Sequence, residues 1–217
     1  MVIQIAIDGP AGAGKSTIAK LLAEKLGITY LDTGAMYRAL TWKVLKEGID
    51  LDNEELIIIK AENIIIELNQ NSVYVDGQDV SEDIREPIIS QSVSQVAKIP
   101  QVRKIMVDLQ RKIGDKKDIV MDGRDIGTHV LPKAKYKFFL TATVDERARR
   151  RALELSLKGF PSNIEDMKRE IIKRDNIDTT RKASPLKAAV DAKIIDTTNL
   201  SIDEVVDKLT NIVSKGE

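Results

Sequence analysis

Residues 8–17 read DGPAGAGKST, directly after the apolar run VIQIAI at residues 2–7. The run is rich in β-branched residues and ends at Asp8-Gly9-Pro10, as a buried strand does when it enters a turn. From Lys15 the period changes: Ile18, Leu21, Leu22 and Leu26 fall on one helical face, and Gly27 is placed to cap its end. Gly9-Pro10-Ala11-Gly12-Ala13-Gly14-Lys15-Ser16 therefore matches G-x-x-x-x-G-K-[ST] in its required setting between strand and helix. Glycines let successive backbone N–H groups converge on phosphate oxygens, and the helix N-terminus adds partial positive charge. The spacing predicts ATP or GTP bound by residues 9–17, Thr17 included, with Lys15 reaching the β- and γ-phosphates and the Ser16 hydroxyl on Mg²⁺.

Outward from this loop, apolar runs recur at Ile119-Val120-Met121, Tyr136 to Leu140 and Lys193 to Ile195. Helical patterns separate them, so the expected fold is α/β with a parallel sheet and crossover helices. Thr143 with Glu146, Ser162 with Glu165 and Ser201 with Glu204 have capping-box spacing and predict helices near 144–158, 163–177 and 202–214. Pro100 ends or bends the helical pattern of 88–99, and Val102, Ile105, Met106 and Leu109 begin another helical face. Between Ile64 and Val80 the alternation is interrupted by two strand-like runs, with a hairpin turn expected at Asp76-Gly77. This stretch reads as an inserted lobe.

The 217 residues are enough for one substantial core, and 34 basic residues balance 34 acidic ones. Neutral balance gives no global field for nucleic acid or an anionic membrane, and neither partner is expected. Absence of cysteine excludes disulfides and thiolate metal sites, and the single His129 cannot build a histidine metal site. No apolar run approaches the ~20 residues of a membrane span, and the first residues lack a secretory signal, so a cytoplasmic location is expected. His129 reads as a surface or packed histidine. Trp42, in a helical pattern with Met36, Leu40 and Leu45, reads as a packing residue.

Chemistry must then come from other groups, and four of the five residues 147–151 are arginine. On a helix Arg147, Arg150 and Arg151 share one side while Arg149 points away, so three guanidiniums can converge on one anion; the alternative is a solvated basic face. Arginines beside a transferring phosphoryl group stabilise its equatorial oxygens and accelerate transfer by roughly 10³–10⁵. Lys158-Gly159-Phe160-Pro161 then breaks the helix as the tip of a cover would. In KRDNIDTTR the spacing places Arg174, Asp178 and Arg181 on one stripe, which is either a site or an intrahelical ion-pair ladder. MDGRDIGT follows a strand and puts Asp122, Arg124 and Asp125 at the carboxyl end of the sheet, where such folds bind ligands. Asp122 is the expected partner of Mg²⁺ through water, against the alternative of a plain polar turn.

GPAGAGKST, LDTGAMYR, SQVAKIPQVR, MDGRDIGT, ERARRRALELSLKG and RDNIDTTRKASPL occur in an order that resembles the bacterial cytidylate kinases, within the nucleoside monophosphate kinases, from end to end. The resemblance implies a P-loop fold with a parallel five-stranded sheet flanked by helices. It divides the single domain into a core (1–31, 84–147 and 172–217), an acceptor lobe of small sheet plus helices (32–83) and a short helical lid (148–171). It implies ATP as phosphoryl donor, Mg²⁺ as cofactor, CMP and dCMP as acceptors, and a monomer. On the matching motifs it places Thr33, Ser94, Arg103 and Asp125 near the pyrimidine or its sugar, with Tyr37 in the same acceptor set. Arg38, Arg124 and Arg181 fall at the acceptor phosphates, and Arg174 and Asp178 at the ribose hydroxyls. Thr33 stands where the family often has serine.

The rival readings are weaker on residues alone. A regulatory GTPase requires D-x-x-G and N-K-x-D, and neither occurs in the chain. A kinase for a small hydroxylated acceptor such as shikimate needs a carboxylate base, whereas a nucleoside monophosphate, with its second phosphate pKa near ~6, is already an anionic nucleophile. UMP and AMP remain alternative acceptors.

Overall fold

The computed structural model describes residues 2–69, 72–115, 117–160 and 162–216. Pro161, expected to help break the helix after 158, lies outside them. Five parallel strands form the central sheet in the order β2-β6-β1-β7-β8: β1 Gln4–Asp8, β2 Thr29–Asp32, β6 Ile119–Gly123, β7 Tyr136–Thr141 and β8 Lys193–Asp196. β1 lies in the middle because QIAID has no polar face to show: Ile5, Ala6 and Ile7 are fully buried. On one face Ile5, Ile7, Val120, Phe138 and Leu140 pack against α1 (Lys15–Leu26) and α8 (Ile202–Lys215). On the other, Ala6, Leu31, Ile119 and Met121 pack against Val107 and the segment after β6.

The fifth strand, β2, is the one that the apolar runs do not announce. TYLD is an edge strand with a single buried residue, Leu31, so neither a continuous run nor alternation marks it. Its register with β6 sets Asp32 beside Asp122, which is decisive for the site.

The insert folds as a three-stranded antiparallel sheet: β3 Ile66–Leu68, β4 Val73–Val75 and β5 Gln78–Asp79. Asp76 and Gly77 both have positive φ, 51° and 81°, as a two-residue hairpin turn requires. This sheet packs with α2 (Thr33–Lys46) and α3 (Glu54–Asn63) around Met36, Leu40, Val44, Ile57 and Val75. The same apolar cluster continues through α4 (Pro87–Ala97) and α5 (Pro100–Gly114) by way of Val93, Val96, Val102 and Met106. Pro100 sits in the first turn of α5, where its missing N–H costs nothing.

α6 (Val144–Leu157) and α7 (Ile164–Thr180) pair through Ala148, Ala152, Leu155, Met167 and Ile171. Of the three expected capping boxes only Ser201 with Glu204 is complete. Thr143 caps α6, but the Glu146 carboxylate turns instead to Arg149 and Arg150. The cap of α7 is Asn163 rather than Ser162; the Ser162 hydroxyl donates to the Ala152 carbonyl, which ties the end of the connection back to α6. α7 also runs three residues beyond the predicted 177, to Thr180.

The phosphate loop is held shut against the sheet. A Cβ on Gly9 (φ 150°) would stand 2.0 Å from the Leu140 carbonyl oxygen, whereas one on Gly27 (φ 66°) would meet nothing within 4 Å. Gly27→Ala is therefore expected to cost about 1 kcal/mol, the left-handed penalty alone, and Gly9→Ala more than about 3 kcal/mol. Urea unfolding midpoints of the two variants check the difference.

Candidate active site

An open cleft of about 2610 Å³ takes in the carboxyl end of the sheet and extends past the β2 edge as far as Thr29 and Asp118, well beyond the size of a pocket for one small ligand. At its floor, Gly14 caps α1 and Lys15 is the first helical residue. Lys15 is buried, and its ammonium donates to the Pro10 carbonyl at 2.7 Å, arched inside its own loop. Burial holds its pKa well below the usual lysine range, and the nearby Arg124 charge adds to the effect.

Asp122, near the end of β6, has both carboxylate oxygens engaged: the Ser16 hydroxyl donates to Oδ2 at 2.9 Å and the Tyr30 hydroxyl to Oδ1 at 2.8 Å. Burial and the neighbouring Asp32 raise its pKa to about 6. A hydroxyl and a carboxylate, both hard oxygen donors, next to a phosphate loop fit Mg²⁺. Among the described residues no group of three or more His, Cys, Asp or Glu is placed to hold a metal, so the remaining ligands would be phosphate oxygens and water.

β6 leads into the opposite wall. After Gly123 come Arg124 and Asp125, then one wide helical turn, Ile126–Val130. Asp8 fixes the start of that turn, its Oδ1 and Oδ2 accepting the Ile126 and Gly127 N–H groups at 2.7 and 2.8 Å. Burial, with Asp125 adding to it, pushes the Asp8 carboxyl up to about 6.

Beyond the turn lies a buried network of five charges. Asp125 faces Arg103 at 2.6 Å and Arg181 at 3.8 Å. Asp178 accepts from Arg124 Nε at 2.9 Å and Arg181 Nη1 at 3.3 Å. Arg103 also donates to the Ala97 carbonyl, and its guanidinium lies 5.3 Å over the Tyr37 ring, whose hydroxyl is pushed up to about 12 by burial. The intrahelical ladder read from KRDNIDTTR is thus mostly redirected: Asp178 reaches across to β6, and Arg181 folds back onto the Ser184 carbonyl. Burial and the charges of Arg124, Arg38 and Arg151 bring Arg174 down to about 10. Its Nε and the Ser94 hydroxyl are buried without a hydrogen-bond partner.

Arg38 lies across the cleft, donating to Asp32 Oδ2 at 2.7 Å. Asp32 also caps α2 through Ala35 N, and Arg38 holds its carboxyl below the usual range against the opposing effect of burial. Thr33, expected near the pyrimidine, spends its hydroxyl on the Asp122 carbonyl at 2.7 Å.

The three arginines of α6 do not converge. Arg147 lies behind the phosphate loop, donating to the Ala11 and Ala142 carbonyls and, at 2.6 Å, to Asp175 Oδ2. Arg150 and Arg151 face the cleft, but Arg150 is bound to Thr197 and Glu146 while Arg151 is bound to Ser90 and Glu154. Arg149, expected to point away, also borders the cleft and grips Glu146 with two hydrogen bonds. The burial of Arg147 is set by partners 28 and 136 residues away, which helical spacing cannot reveal.

Several residues of the site have little or no sequence signal. Asp8 could have been noticed for its position against the first glycine of the loop. Tyr30 and Asp32 belong to the unannounced strand β2. Asp175, within a motif already singled out, accepts both Ala11 N and Arg147 and so stitches α7 to the loop. Arg85 lines the same cleft and acts on Asp32 through its charge.

Fold and cleft together define a P-loop kinase, with a phosphate loop on one side and a wall of arginines and carboxylates on the other. Solved structures of a gluconokinase from Sinorhizobium meliloti (13% identity, TM-score 0.51, 98% and 92% of the two chains) and a shikimate kinase from Bacteroides thetaiotaomicron (13%, 0.50, 98% of each) share the fold. The family model described as cytidylate kinase matches residues 5–215. Relatives named cytidylate kinase are 57% identical in Alkaliphilus oremlandii, over 97% of both chains, and 52% identical in Clostridioides difficile, again over 97% of both. The chain belongs to the cytidylate kinase family and is an ATP-dependent phosphotransferase.

The Asp8 pKa has a measurable consequence. The folded chain holds that proton up to about pH 6 and the unfolded chain only to about 3.8, so its contribution is fully present below pH 3.8 and is lost as pH rises through 6. The stability of the wild type relative to Asp8→Asn is expected to fall by up to about 3 kcal/mol between pH 4 and 7. Denaturant unfolding of both proteins across that range tests it; parallel curves would contradict it.

Proposed function

We propose that the chain transfers the γ-phosphoryl group of ATP to CMP or dCMP, giving ADP and CDP or dCDP. Family membership supports the cytidylate specificity. The observation that carries the geometry is the placement of Lys15, Arg124, Arg174 and Arg38 around one cleft, where Lys15 and Arg174 lose affinity for their protons through burial and the charges of neighbouring arginines. Two polyanions meeting between them supply the missing countercharge.

In this reading residues 9–17 hold ATP, with Gly14, Lys15 and Ser16 at its phosphates. Lys15 leaves the Pro10 carbonyl for phosphate oxygens. Mg²⁺, held by Ser16 and through water by Asp122, neutralises charge on the β- and γ-phosphates when bound. Arg38, Arg124 and Arg181 grip and orient the acceptor phosphate. Asp178 and Arg174 take the sugar, and Ser94, Arg103, Asp125 and Tyr37 take the base, with Thr33 bracing that wall through Asp122. No residue need remove a proton, because the acceptor phosphate is already anionic near neutral pH. Arg150 and Arg151 exchange Thr197 and Ser90 for phosphate when the lid, residues 148–171, closes over the core and the acceptor lobe 32–83. Arg147 contributes by holding the loop in shape. Closure excludes water that would otherwise hydrolyse ATP.

Every side chain invoked comes from one chain, so a single copy is sufficient, and the reading includes a monomer acting in the cytoplasm. Among the described residues no helix is long and apolar enough to cross a membrane.

ADP release measured separately with CMP, dCMP, UMP, AMP and shikimate is expected to be fastest with the two cytidine nucleotides; preference for any other acceptor overturns the proposal. Asp178→Asn keeps the shape of the side chain while removing the charge between Arg124 and Arg181. It is expected to lower kcat/KM for CMP at least ~10-fold, with KM for ATP changed less than ~2-fold. Steady-state kinetics with each substrate varied checks the asymmetry, and equal losses for both would mark Asp178 as purely structural.

A further inference from the structure

Tyr30 lines the cleft with a hydroxyl that the proposed reaction leaves without a task. It stands on β2, paired with Val120 of β6, and its ring packs with the apolar cluster beneath α1. Its hydroxyl passes that cluster and ends on Asp122 Oδ1 at 2.8 Å. Ser16 donates to the other oxygen, so two hydrogen bonds from two different elements fix both the position and the rotation of one carboxylate.

The fixation matters because Asp122 has strong reasons to move. Asp32 lies beside it in the β2–β6 register and repels it, while Lys15 attracts it. Turning toward Lys15 would join the two groups in an ion pair and remove both from a nucleotide and its metal. Among the described residues no ion pair links Lys15 to Asp122, although each is within electrostatic reach of the other. The two donors that hold Asp122 are not equivalent. The Ser16 hydroxyl must give its lone pair to a metal and readjust when one binds. The Tyr30 phenol is a donor whatever the metal does: it keeps its hydrogen bond to Asp122 Oδ1, with the Ser16 side chain as its other neighbour.

We infer that Tyr30 is a positioning residue for the metal seat: it pins Asp122 so that Oδ2 faces Ser16 and stays out of reach of Lys15. This rests on the reading of Ser16 and Asp122 as the Mg²⁺ seat. Tyr30 touches neither nucleotide nor metal in this role, and its effect appears in metal affinity rather than in acceptor recognition.

Tyr30→Phe keeps the ring and deletes only the hydroxyl. The full-length variant is compared with wild type and Ser16→Ala in two measurements: calorimetric binding of ATP with Mg²⁺ and in EDTA, and the Mg²⁺ concentration giving half-maximal activity at saturating CMP. Tyr30→Phe is expected to weaken ATP binding in the presence of Mg²⁺ by ~5–20-fold, leave binding in EDTA within ~2-fold, shift the Mg²⁺ midpoint upward by a similar factor, and keep KM for CMP. A Ser16→Ala shift with no shift in Tyr30→Phe overturns the role of Tyr30 while leaving the metal seat intact. No shift in either variant overturns the seat itself and this inference with it. Equal weakening of ATP binding with and without Mg²⁺ in Tyr30→Phe would show a structural role only, and also overturns it.

Discussion

Asp8 holds the two walls of the cleft at a fixed separation. Its backbone ends β1 and enters the phosphate loop, and its carboxylate carries the first two N–H groups of the turn that follows Arg124 and Asp125. A buried carboxylate is expensive unless its oxygens are hydrogen-bonded, so the arrangement is stable in one geometry and poor in any other. The phosphate loop and the segment that carries Arg124 and Asp125 are thereby referred to the same strand end, and phosphoryl transfer of the proposed kind depends on such alignment. The cost appears as a raised pKa, so the joint weakens as pH rises through about 6.

Around that joint the protein assembles more positive charge than it can comfortably bury. Five charges of alternating sign, Arg103, Asp125, Arg181, Asp178 and Arg124, neutralise one another in a chain that ends at the cleft. Lys15 and Arg174 are outside that chain, and both shift toward the neutral form. Buried ion pairs contribute little net stability, but removing one member leaves the other charge stranded. The network is better understood as a means of holding guanidiniums in fixed directions than as a source of folding energy. Arg147 is the same device on the donor side, with Asp175 and the Ala11 carbonyl keeping the loop in its shape.

Apolar packing is divided among separate clusters rather than continuous. The sheet with α1 and α8, the acceptor lobe with α2 to α5, and the α6–α7 pair each have their own buried cluster. α4 is joined to the α6–α7 pair by polar contacts, Arg151 to Ser90 and Gln91 to Glu170. The Gln91 to Glu170 contact is exposed and that of Arg151 to Ser90 half-buried, so neither adds much to stability.

Sequence legibility followed the range of the interaction. The strand, loop and helix at residues 4–26, the hairpin at Asp76-Gly77 and the boxed cap of α8 are decided by spacings of a few residues, and spacing finds them. β2 was missed because an edge strand buries one residue in four, and Asn163 replaced Ser162 because either hydrogen-bonding side chain can cap and packing against α6 claimed the serine. The same limit separates the two halves of the site. By itself the sequence determined the phosphate loop, the parallel α/β class and, through the order of its motifs, the family. Only the tertiary structure decided that Arg147 is a brace while Arg150 and Arg151 face the cleft, that Asp178 serves Arg124 rather than Arg174, and that Asp8 and Tyr30 belong to the site. Their partners lie from tens to more than a hundred residues away, and a charge or hydroxyl acquires its role from the group that burial forces upon it.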